Sequence, residues 1–162
     1  MAVVTEPFGA SSRSLSAIQP MPTRIVETQP VILLVEDDDS DQMLVARAHT
    51  QWAPNTLLLV ARSGEDAIDF INDREILSNL AFVILDLKLR GKNGFEVLEH
   101  IRSRPDDVTL PVVMFSSSYE PSDVLRAYEL GVSAYVSKPV DFEEHQACMR
   151  DMFDFWLGVN LR

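Results

Sequence analysis

Five short apolar runs, each followed by a segment with helical spacing, limit the fold of this chain more than any other feature. The runs are 31–36, 56–60, 81–86, 110–115 and 133–137. They are rich in Val, Ile, Leu and Phe and lack polar alternation, which is typical of strands that helices cover on both faces of a parallel sheet. The alternation therefore predicts the α/β class, with one doubly wound (βα)5 domain around a five-stranded parallel sheet.

Capping residues and helix breakers predict where the helices lie. Ser40 and Ser63 are predicted to cap the first two helices. Pro121 opens the fourth helix and Gly131 closes it. The fifth and last helix begins near Asp141.

The length and composition predict one domain with terminal extensions. A chain of 162 residues with 46% hydrophobic residues suits a single globular core. We expect a folded domain over residues 30–158 and a short tail over 159–162. Ser, Pro, Ala and Thr dominate residues 1–29, which predicts a disordered arm. The few residues after the last helix leave no room for an output domain, so output is expected to run through protein contacts.

The charge and the apolar pattern exclude several classes of protein. A net charge of −11 argues against binding of nucleic acid, because phosphate backbones are held by clustered Lys and Arg. No apolar run approaches the roughly 20 residues that span a bilayer. The single cysteine, Cys148, permits no internal disulfide and fits a reducing compartment. We therefore expect a cytoplasmic protein that contacts neither membrane nor nucleic acid.

Side chains with phosphoryl-transfer chemistry lie where four of the five strands end. Glu36 and Asp37 end the first strand and Asp86 ends the third, while Ser116 and Lys138 follow the fourth and fifth. In parallel sheets the carboxyl ends of the strands share one edge, and ligands bind there. The five side chains are therefore expected to meet in one site.

Three acids in one place repel one another unless a cation neutralises them, and Mg²⁺ does so with oxygen ligands. Asp86, alone at the tip of the predicted central strand, is the best nucleophile for a phosphoryl group and would form an acyl phosphate. Lys138 supplies a compact positive charge for the phosphoryl oxygens, and the Ser116 hydroxyl can donate to one of them.

Each of these features also has an ordinary structural explanation. An acid pair after a strand is often a solvated turn, and Asp38 and Asp39 are expected to be cap residues. Lys138 before a proline is common at a helix start, and Tyr135 in a strand usually packs. The conjunction of four strand ends is what favours a functional site.

Four segments, VILLVEDDDSD, VILDLKLRGKNGFEVL, LPVVMFSS and SAYVSKPVD, resemble the receiver domain of two-component response regulators over about residues 31–157. The resemblance implies the flavodoxin-like receiver fold and an Asp86 that accepts phosphate from a sensor histidine kinase or a phosphotransfer protein. It implies that Glu36, Asp37, Asp86 and the backbone carbonyl of Lys88 hold Mg²⁺.

The resemblance also assigns the remaining residues. It implies that Lys138 binds the phosphoryl group, that Ser116 and Tyr135 form a switch, and that the Lys138–Pro139 bond is cis. The segments YELGVSAYVSKPVDFEE and FWLGVN are similar to stand-alone regulators that partner bacterial phytochromes, so a bacteriophytochrome is among the expected kinases. Kinase contacts in this family usually fall on the first helix, where Gln42, Met43 and Arg47 are the candidates.

Two positions depart from the family pattern. The family commonly has Pro four positions after the phosphorylated Asp, where this chain has Arg90. It often has Asn or another small or polar residue two positions after that Asp, where this chain has Lys88. Neither departure removes a reacting group, but Arg90 puts the preset geometry of the loop in question.

Three other functions stay open on the sequence. A pseudo-receiver would bind partners without phosphorylation. An aspartate-based phosphohydrolase could use Asp37 and Asp39, although no lid-sized insertion is present. A flavodoxin-type flavin carrier shares the topology but needs a phosphate-cradling loop where this chain has EDDDSD. The preferred prediction is a signalling protein rather than an enzyme.

The last helix carries more apolar residues than one core-facing stripe needs. Met149, Phe153 and Leu157 are predicted to cover the sheet. Met152, Phe155 and Trp156 are predicted to form a partner surface. We therefore expect a homodimer through the fourth helix, the fifth strand and the fifth helix.

Overall fold

The computed structural model describes residues 29–104 and 109–159. Five strands lie in these ranges: β1 (Val31–Val35), β2 (Leu57–Ala61), β3 (Leu80–Leu85), β4 (Val112–Ser116) and β5 (Ala134–Ser137). The α-helices are α1 (Asp39–Trp52), α2 (Gly64–Asn72), α3 (Arg74–Asn79), α4 (Gly94–Arg102), α5 (Pro121–Glu129) and α6 (Phe142–Phe153), and a π-helical segment follows at Asp154–Val159. Except for residues 29 and 159, the predicted arm and tail lie outside the described residues.

The strands form one all-parallel sheet with the order β2-β1-β3-β4-β5. This confirms the predicted α/β class and the doubly wound topology. The chain leaves β1 toward β2 on one side and returns to β3 on the other. Open sheets bind ligands at such a reversal, because the connections after the two central strands diverge there.

Successive residues of each central strand pack on opposite faces of the sheet. Leu33 and Val35 lie in a cluster with residues of α2 and α4, whereas Ile32 and Leu34 pack with α1 and α6. All six residues of β3 are buried. The unbroken apolar runs of β1, β3 and β4 therefore reflect burial on both faces, as predicted, whereas the edge strands β2 and β5 are only partly buried. Within the described ranges, no helix is long and apolar enough to cross a membrane.

The helix starts match the sequence prediction except at α1. Ser63 and Asp141 are N-caps, as predicted, and accept hydrogen bonds from the backbone N–H groups of the first turns of their helices. Asp38, not Ser40, caps α1, and its carboxylate accepts from the N–H groups of Ser40 and Asp41. The Ser40 prediction is wrong because Asp38 precedes it with an equally good acceptor, so the helix starts earlier.

The short helix α3 has no counterpart in the sequence prediction. Asp73 ends α2 in an extended conformation, and its carboxylate then accepts hydrogen bonds from the N–H groups of Glu75 and Ile76. One residue therefore stops a helix and caps the next. This extra helix shifts the numbering, so the helix that follows β4 is α5 and the last is α6.

The end of α6 corrects the predicted partner surface. Met152 is only 6% exposed and belongs to the core with Met149 and Phe153. The prediction for Met152 is wrong because residues three and four apart share one helix face, so Met152 follows Met149 inward. The indole of Trp156 stacks on Phe82 with ring centroids 6.3 Å apart, and it packs against this core. Phe155 stays 46% exposed.

Candidate functional site

Backbone hydrogen bonds carry the predicted site residues to one edge of the sheet. The N–H of Glu36 donates to the carbonyl of Ala61 at 3.0 Å, and the N–H of Asp86 donates to that of Val35 at 3.0 Å. The N–H of Lys138 donates to the carbonyl of Ser116 at 2.9 Å. The sheet pairing thus continues one residue past β1, β3 and β5, which fixes the backbone of these three residues.

Three carboxylates surround the ammonium group of Lys138. Its Nζ lies 2.6 Å from Oε2 of Glu36, 2.7 Å from Oδ2 of Asp41 and 3.0 Å from Oδ2 of Asp86. An ammonium group has three N–H donors, so these contacts use all of them. One positive charge faces three negative charges, which leaves a negative excess that favours binding of a further cation.

Burial and pairing act in opposite directions on Lys138. Desolvation alone would lower the pKa of the ammonium group, but hydrogen bonds to Asp41 and Glu36 and the charge of Asp86 raise this pKa above its ordinary value. Lys138 therefore stays protonated at neutral pH. Burial raises the pKa of Glu36, and the hydrogen bond from Lys138 partly offsets that effect.

Asp41 is the site residue that the sequence reasoning missed. It lies in the first turn of α1, where its backbone N–H is held by the cap residue Asp38. Its carboxylate reaches Lys138, which lies 97 residues away in the chain. The available signal was the position of Asp41, because a helix that begins directly after β1 points its first turn at the edge of the sheet.

Asp37 has a different cationic partner from the other predicted metal ligands, because it pairs with Arg90. Its Oδ2 accepts from both the backbone N–H and the Nε of Arg90, each at 3.1 Å. Glu36 and Asp86 face Lys138 instead. In this arrangement no group of three or more His, Cys, Asp or Glu residues among those described could hold a metal ion. The carboxylates of Glu36, Asp37 and Asp86 still have the oxygen donors that a cation such as Mg²⁺ prefers.

The sequence that contains these site residues matches a known protein family. Residues 32–150 match the response regulator receiver domain family. The chain belongs to this family. The match spans β1 through most of α6 and includes every strand-end residue predicted for the site.

Several characterised receiver proteins are similar to this chain. The response regulator Rcp1 of Synechocystis sp. is 33% identical over 130 residues, 78% of this chain and 88% of Rcp1. The crystal structure of Mn²⁺-bound Rcp1 gives a TM-score of 0.74 at 32% identity, over 82% of this chain and 97% of that one. The phosphorylated cyanobacterial phytochrome response regulator RcpA gives 0.76 at 27% identity, over 83% and 98%. The bacteriophytochrome response regulator RtBRR gives 0.64 at 39% identity, over 83% and 81%.

The two predicted switch residues of this receiver domain meet through Ser118. The Ser116 side chain is fully buried, and its Oγ accepts from the backbone N–H of Ser118 at 3.2 Å. The Tyr135 hydroxyl donates to the backbone carbonyl of Ser118 at 3.1 Å. The Ser118 hydroxyl in turn donates to Asp123 of α5 at 2.6 Å. A change at Ser116 can therefore reach both Tyr135 and α5 through one residue.

The loop after Asp86 is held tightly against the side chain and the backbone of Asp86. The backbone N–H of Lys88 donates to Oδ1 of Asp86 at 3.3 Å. Gly94 lies so close that a Cβ there would overlap the backbone carbonyl of Asp86. Gly91 has a φ of 74°, a left-handed conformation that glycine adopts without strain. The loop of the receiver domain is thus shaped by two glycines, while the role of the Lys88 carbonyl as a metal ligand stays a prediction.

Two further expectations of the receiver family differ from this structure. The Lys138–Pro139 bond is trans, as are all peptide bonds in the part of the chain that the structure describes. X–Pro bonds differ little in energy between the two isomers, so sequence alone does not fix the isomer. Gln42 is buried, and its amide donates to the carbonyl of Glu36 at 2.8 Å, so it supports the site and presents little surface to a kinase. Met43 and Arg47 remain exposed on α1.

Proposed function

We propose that the protein is a response regulator in which Asp86 accepts a phosphoryl group from a sensor histidine kinase or a phosphotransfer protein. The observation that carries the proposal is the contact of 3.0 Å between Asp86 and the ammonium group of Lys138 at the carboxyl edge of β3. A carboxylate beside a fixed positive charge can attack a phosphoryl group, and that charge then compensates the phosphoryl oxygens.

The residues around Asp86 suggest how transfer proceeds. An oxygen of Asp86 forms the new O–P bond while the N–P bond of the donor phosphohistidine breaks, and the electron pair returns to the imidazole. Asp86 loses its negative charge in this step, so Lys138 can turn one donor toward a phosphoryl oxygen. Glu36 and Asp41 keep the ammonium group in place during this change.

Ser116 couples this change to the surface. Its hydroxyl can donate to a phosphoryl oxygen, and reorientation of Oγ would release the N–H of Ser118. Ser118 holds the hydroxyl of Tyr135 through its backbone and Asp123 of α5 through its side chain. Phosphorylation is therefore expected to alter the surface formed by α5 and β5, which is the output of the protein in this proposal.

A bound Mg²⁺ would complete the site by neutralising charge on Asp86 and on the incoming phosphoryl group. Glu36, Asp37, Asp86 and the backbone carbonyl of Lys88 are the residues that would hold it. The Mn²⁺-bound structure of Rcp1 supports a divalent cation in this family. The names of RcpA and RtBRR support a phytochrome as the cognate kinase. We expect the protein to act in the cytoplasm, where the lone thiol of Cys148 stays reduced.

A homodimer is part of the same proposal, through α5, β5 and α6. Exposed apolar side chains on α5, together with Phe155, support such a contact. The phosphohydrolase alternative needs Asp39 as a second catalytic acid. The carboxylate of Asp39 instead pairs with Arg62 at 3.0 Å on the exposed surface, which argues against this alternative. No observation favours the flavin carrier.

Phosphorylation by a small donor tests the proposal directly. With Mg²⁺ and acetyl phosphate, the wild-type protein should gain one phosphoryl group that is labile to hydroxylamine, and Asp86→Asn should gain none. Intact-protein mass spectrometry measures the gain. The control is Asp39→Asn, which removes a carboxylate from the same loop region without touching Lys138. A wild-type protein that stays unmodified would favour the pseudo-receiver, and a modified Asp86→Asn would refute the acceptor assignment.

A further inference from the structure

Arg90 is hydrogen-bonded to Asp37, one of the proposed cation ligands. Its backbone N–H and its Nε both donate to Oδ2 of Asp37 at 3.1 Å, and its terminal nitrogen donates to the backbone carbonyl of Asp37 at 3.3 Å. The family commonly has Pro at this position. Proline has neither an N–H nor a positive charge, so it could make none of these three contacts.

The remaining proposed ligands are also neutralised within the chain. Glu36 and Asp86 pair with Lys138. Lys138 is largely buried and belongs to the proposed transfer chemistry, whereas the Arg90 side chain is 82% exposed and Asp37 is 18% exposed. Of the two cations, Arg90 is therefore the one that can leave toward solvent at little cost, because an exposed ion pair is worth little.

We propose that Arg90 is a built-in competitor for the divalent cation at Asp37. The cation and Arg90 would compete for the negative charge of the Asp37 carboxylate, and a cation bound through Oδ2 would require that Arg90 release this oxygen. Arg90 thereby weakens cation binding and raises the cation concentration at which the site fills. This inference rests on the proposed function, because it assumes that the site takes a divalent cation at all.

Direct competition and a general charge effect make different predictions. Arg90→Ala and Arg90→Gln remove the guanidinium, and Arg90→Pro removes the backbone donor as well. Arg90→Lys keeps the charge but loses the forked donors. Lys92→Ala is the matched control, since it removes the same charge from the same loop. The backbone N–H of Lys92 donates to Glu65 and not to Asp37.

Binding of Mn²⁺ to the full chain tests the inference, with the free-ion signal in electron paramagnetic resonance as the readout. Arg90→Ala should lower the dissociation constant about two- to fivefold, the range that an exposed ion pair is worth. Arg90→Pro should lower it further, and Arg90→Lys should fall between wild type and Arg90→Ala. Asp37→Asn should weaken binding in every background. Arg90→Gln replaces Arg90→Ala if the latter melts at a lower temperature than wild type.

Each outcome decides a separate question. Equal dissociation constants for wild type and Arg90→Ala would overturn the competition while leaving the proposed cation site intact. An equal gain from Lys92→Ala would also overturn it, because charge alone would then explain the effect. Mn²⁺ binding that Asp37→Asn leaves unchanged would place the ion elsewhere and refute the inference. No binding by any variant would remove both the cation site and its competitor.

Discussion

Asp41 shows how one side chain outside the predicted site can affect its chemistry. It supplies one of the three acceptors of the Lys138 ammonium group, at 2.7 Å, and it is the most exposed of the three. Glu36 and Asp86 lie at the ends of β1 and β3, whereas Asp41 lies on α1. Asp41 therefore links the position of Nζ to a helix as well as to the sheet.

Replacement of Asp41 by Asn should slow phosphorylation of Asp86. The variant keeps the size of the side chain but loses the carboxylate whose hydrogen bond raises the pKa of Lys138 and holds its ammonium group. We expect the rate with acetyl phosphate to fall about fivefold, since a partly exposed charged hydrogen bond is worth ~1 kcal/mol. Time courses by intact-protein mass spectrometry measure this rate.

Asp39→Asn is the matched control for that experiment. Both acids lie in the first turn of α1, but Asp39 pairs with Arg62 at the surface. If contact with Lys138 is what matters, Asp41→Glu should be phosphorylated at a rate closer to that of wild type than to that of Asp41→Asn. Equal rates for Asp41→Asn and Asp39→Asn would show that Asp41 has no specific role.

At the level of elements, the start of α4 supports Asp86, the proposed phosphoacceptor. The backbone N–H of Gly94 donates to the carbonyl of Leu87 at 3.0 Å, which brings the helix against the residue that follows Asp86. Asn93 caps the helix in a capping box with Glu96. The acceptor loop is thus anchored at both ends, by β3 and by α4.

Gly94→Ala should destabilise the protein and impair phosphorylation together. The added methyl group would overlap the Asp86 carbonyl, so either α4 or the acceptor must shift. Overpacking of this kind costs ~1–3 kcal/mol of the free energy of unfolding. Chemical denaturation and the acetyl phosphate assay measure the two effects. Gly158→Ala is the control, since a Cβ at Gly158 meets nothing within 4 Å, and an equal loss in both variants would contradict the packing argument.

The sequence predicts elements better than contacts between them. The runs that form β1 and β3 are unambiguous, because strands buried on both faces need unbroken apolar residues. The helix α3 was missed because one residue, Asp73, both ends α2 and caps α3. Met152 was misplaced because helical spacing assigns a face but does not tell how wide the buried stripe is.

The site was predictable only for the residues that lie at strand ends. Strand ends share an edge, so Glu36, Asp86 and Lys138 were expected to meet, and they do. The partner of Asp37 was not predictable. The contact between Asp37 and Arg90 joins residues 53 positions apart through a flexible side chain, and no spacing rule encodes it.

At the scale of the whole molecule, two histidines link stability to pH, the buried His145 and the half-buried His49. Burial lowers the pKa of His145 and of His49 from the ordinary value of 6.5. His145 lies edge-on to Phe115 of β4, and it faces Asp41 of α1, which raises its pKa, and Lys138, which lowers it. Its Nδ1 has no hydrogen-bond partner among the described residues.

Stability should therefore fall as the pH drops below about 6.5. Below that pH both histidines bind protons in the unfolded chain, whereas in the folded protein they stay neutral until the pH reaches their lowered pKa values. Acid therefore favours unfolding over this range of pH. Denaturation between pH 7.5 and pH 5.5 measures the slope. His145→Phe should make the slope of the free energy of unfolding against pH shallower, and His49 should account for the part that remains. An unchanged slope would rule out His145 as a contributor. His100→Gln, at a half-buried position on α4, is the control.

The last prediction concerns assembly. Leu125 and Tyr128 are 61% and 53% exposed and lie three residues apart on α5, so they share one face. In a two-fold symmetric dimer each substitution at the interface occurs twice. Leu125→Asp should therefore bury two charged side chains in the contact and shift the protein to monomer. Sedimentation velocity at tens of micromolar, with and without acetyl phosphate, measures the state.

Met43→Asp is the matched control for the dimer, because Met43 is an equally exposed apolar residue on α1, outside the proposed contact. It should leave the dimer unchanged, and Phe155→Ala should weaken it if the segment after α6 contributes. A wild-type monomer in both phosphorylation states would remove the dimer from the proposal. A dimer that survives Leu125→Asp but not Met43→Asp would instead move the contact to α1, the helix that holds Asp41, so that assembly and the position of Lys138 would then depend on the same element.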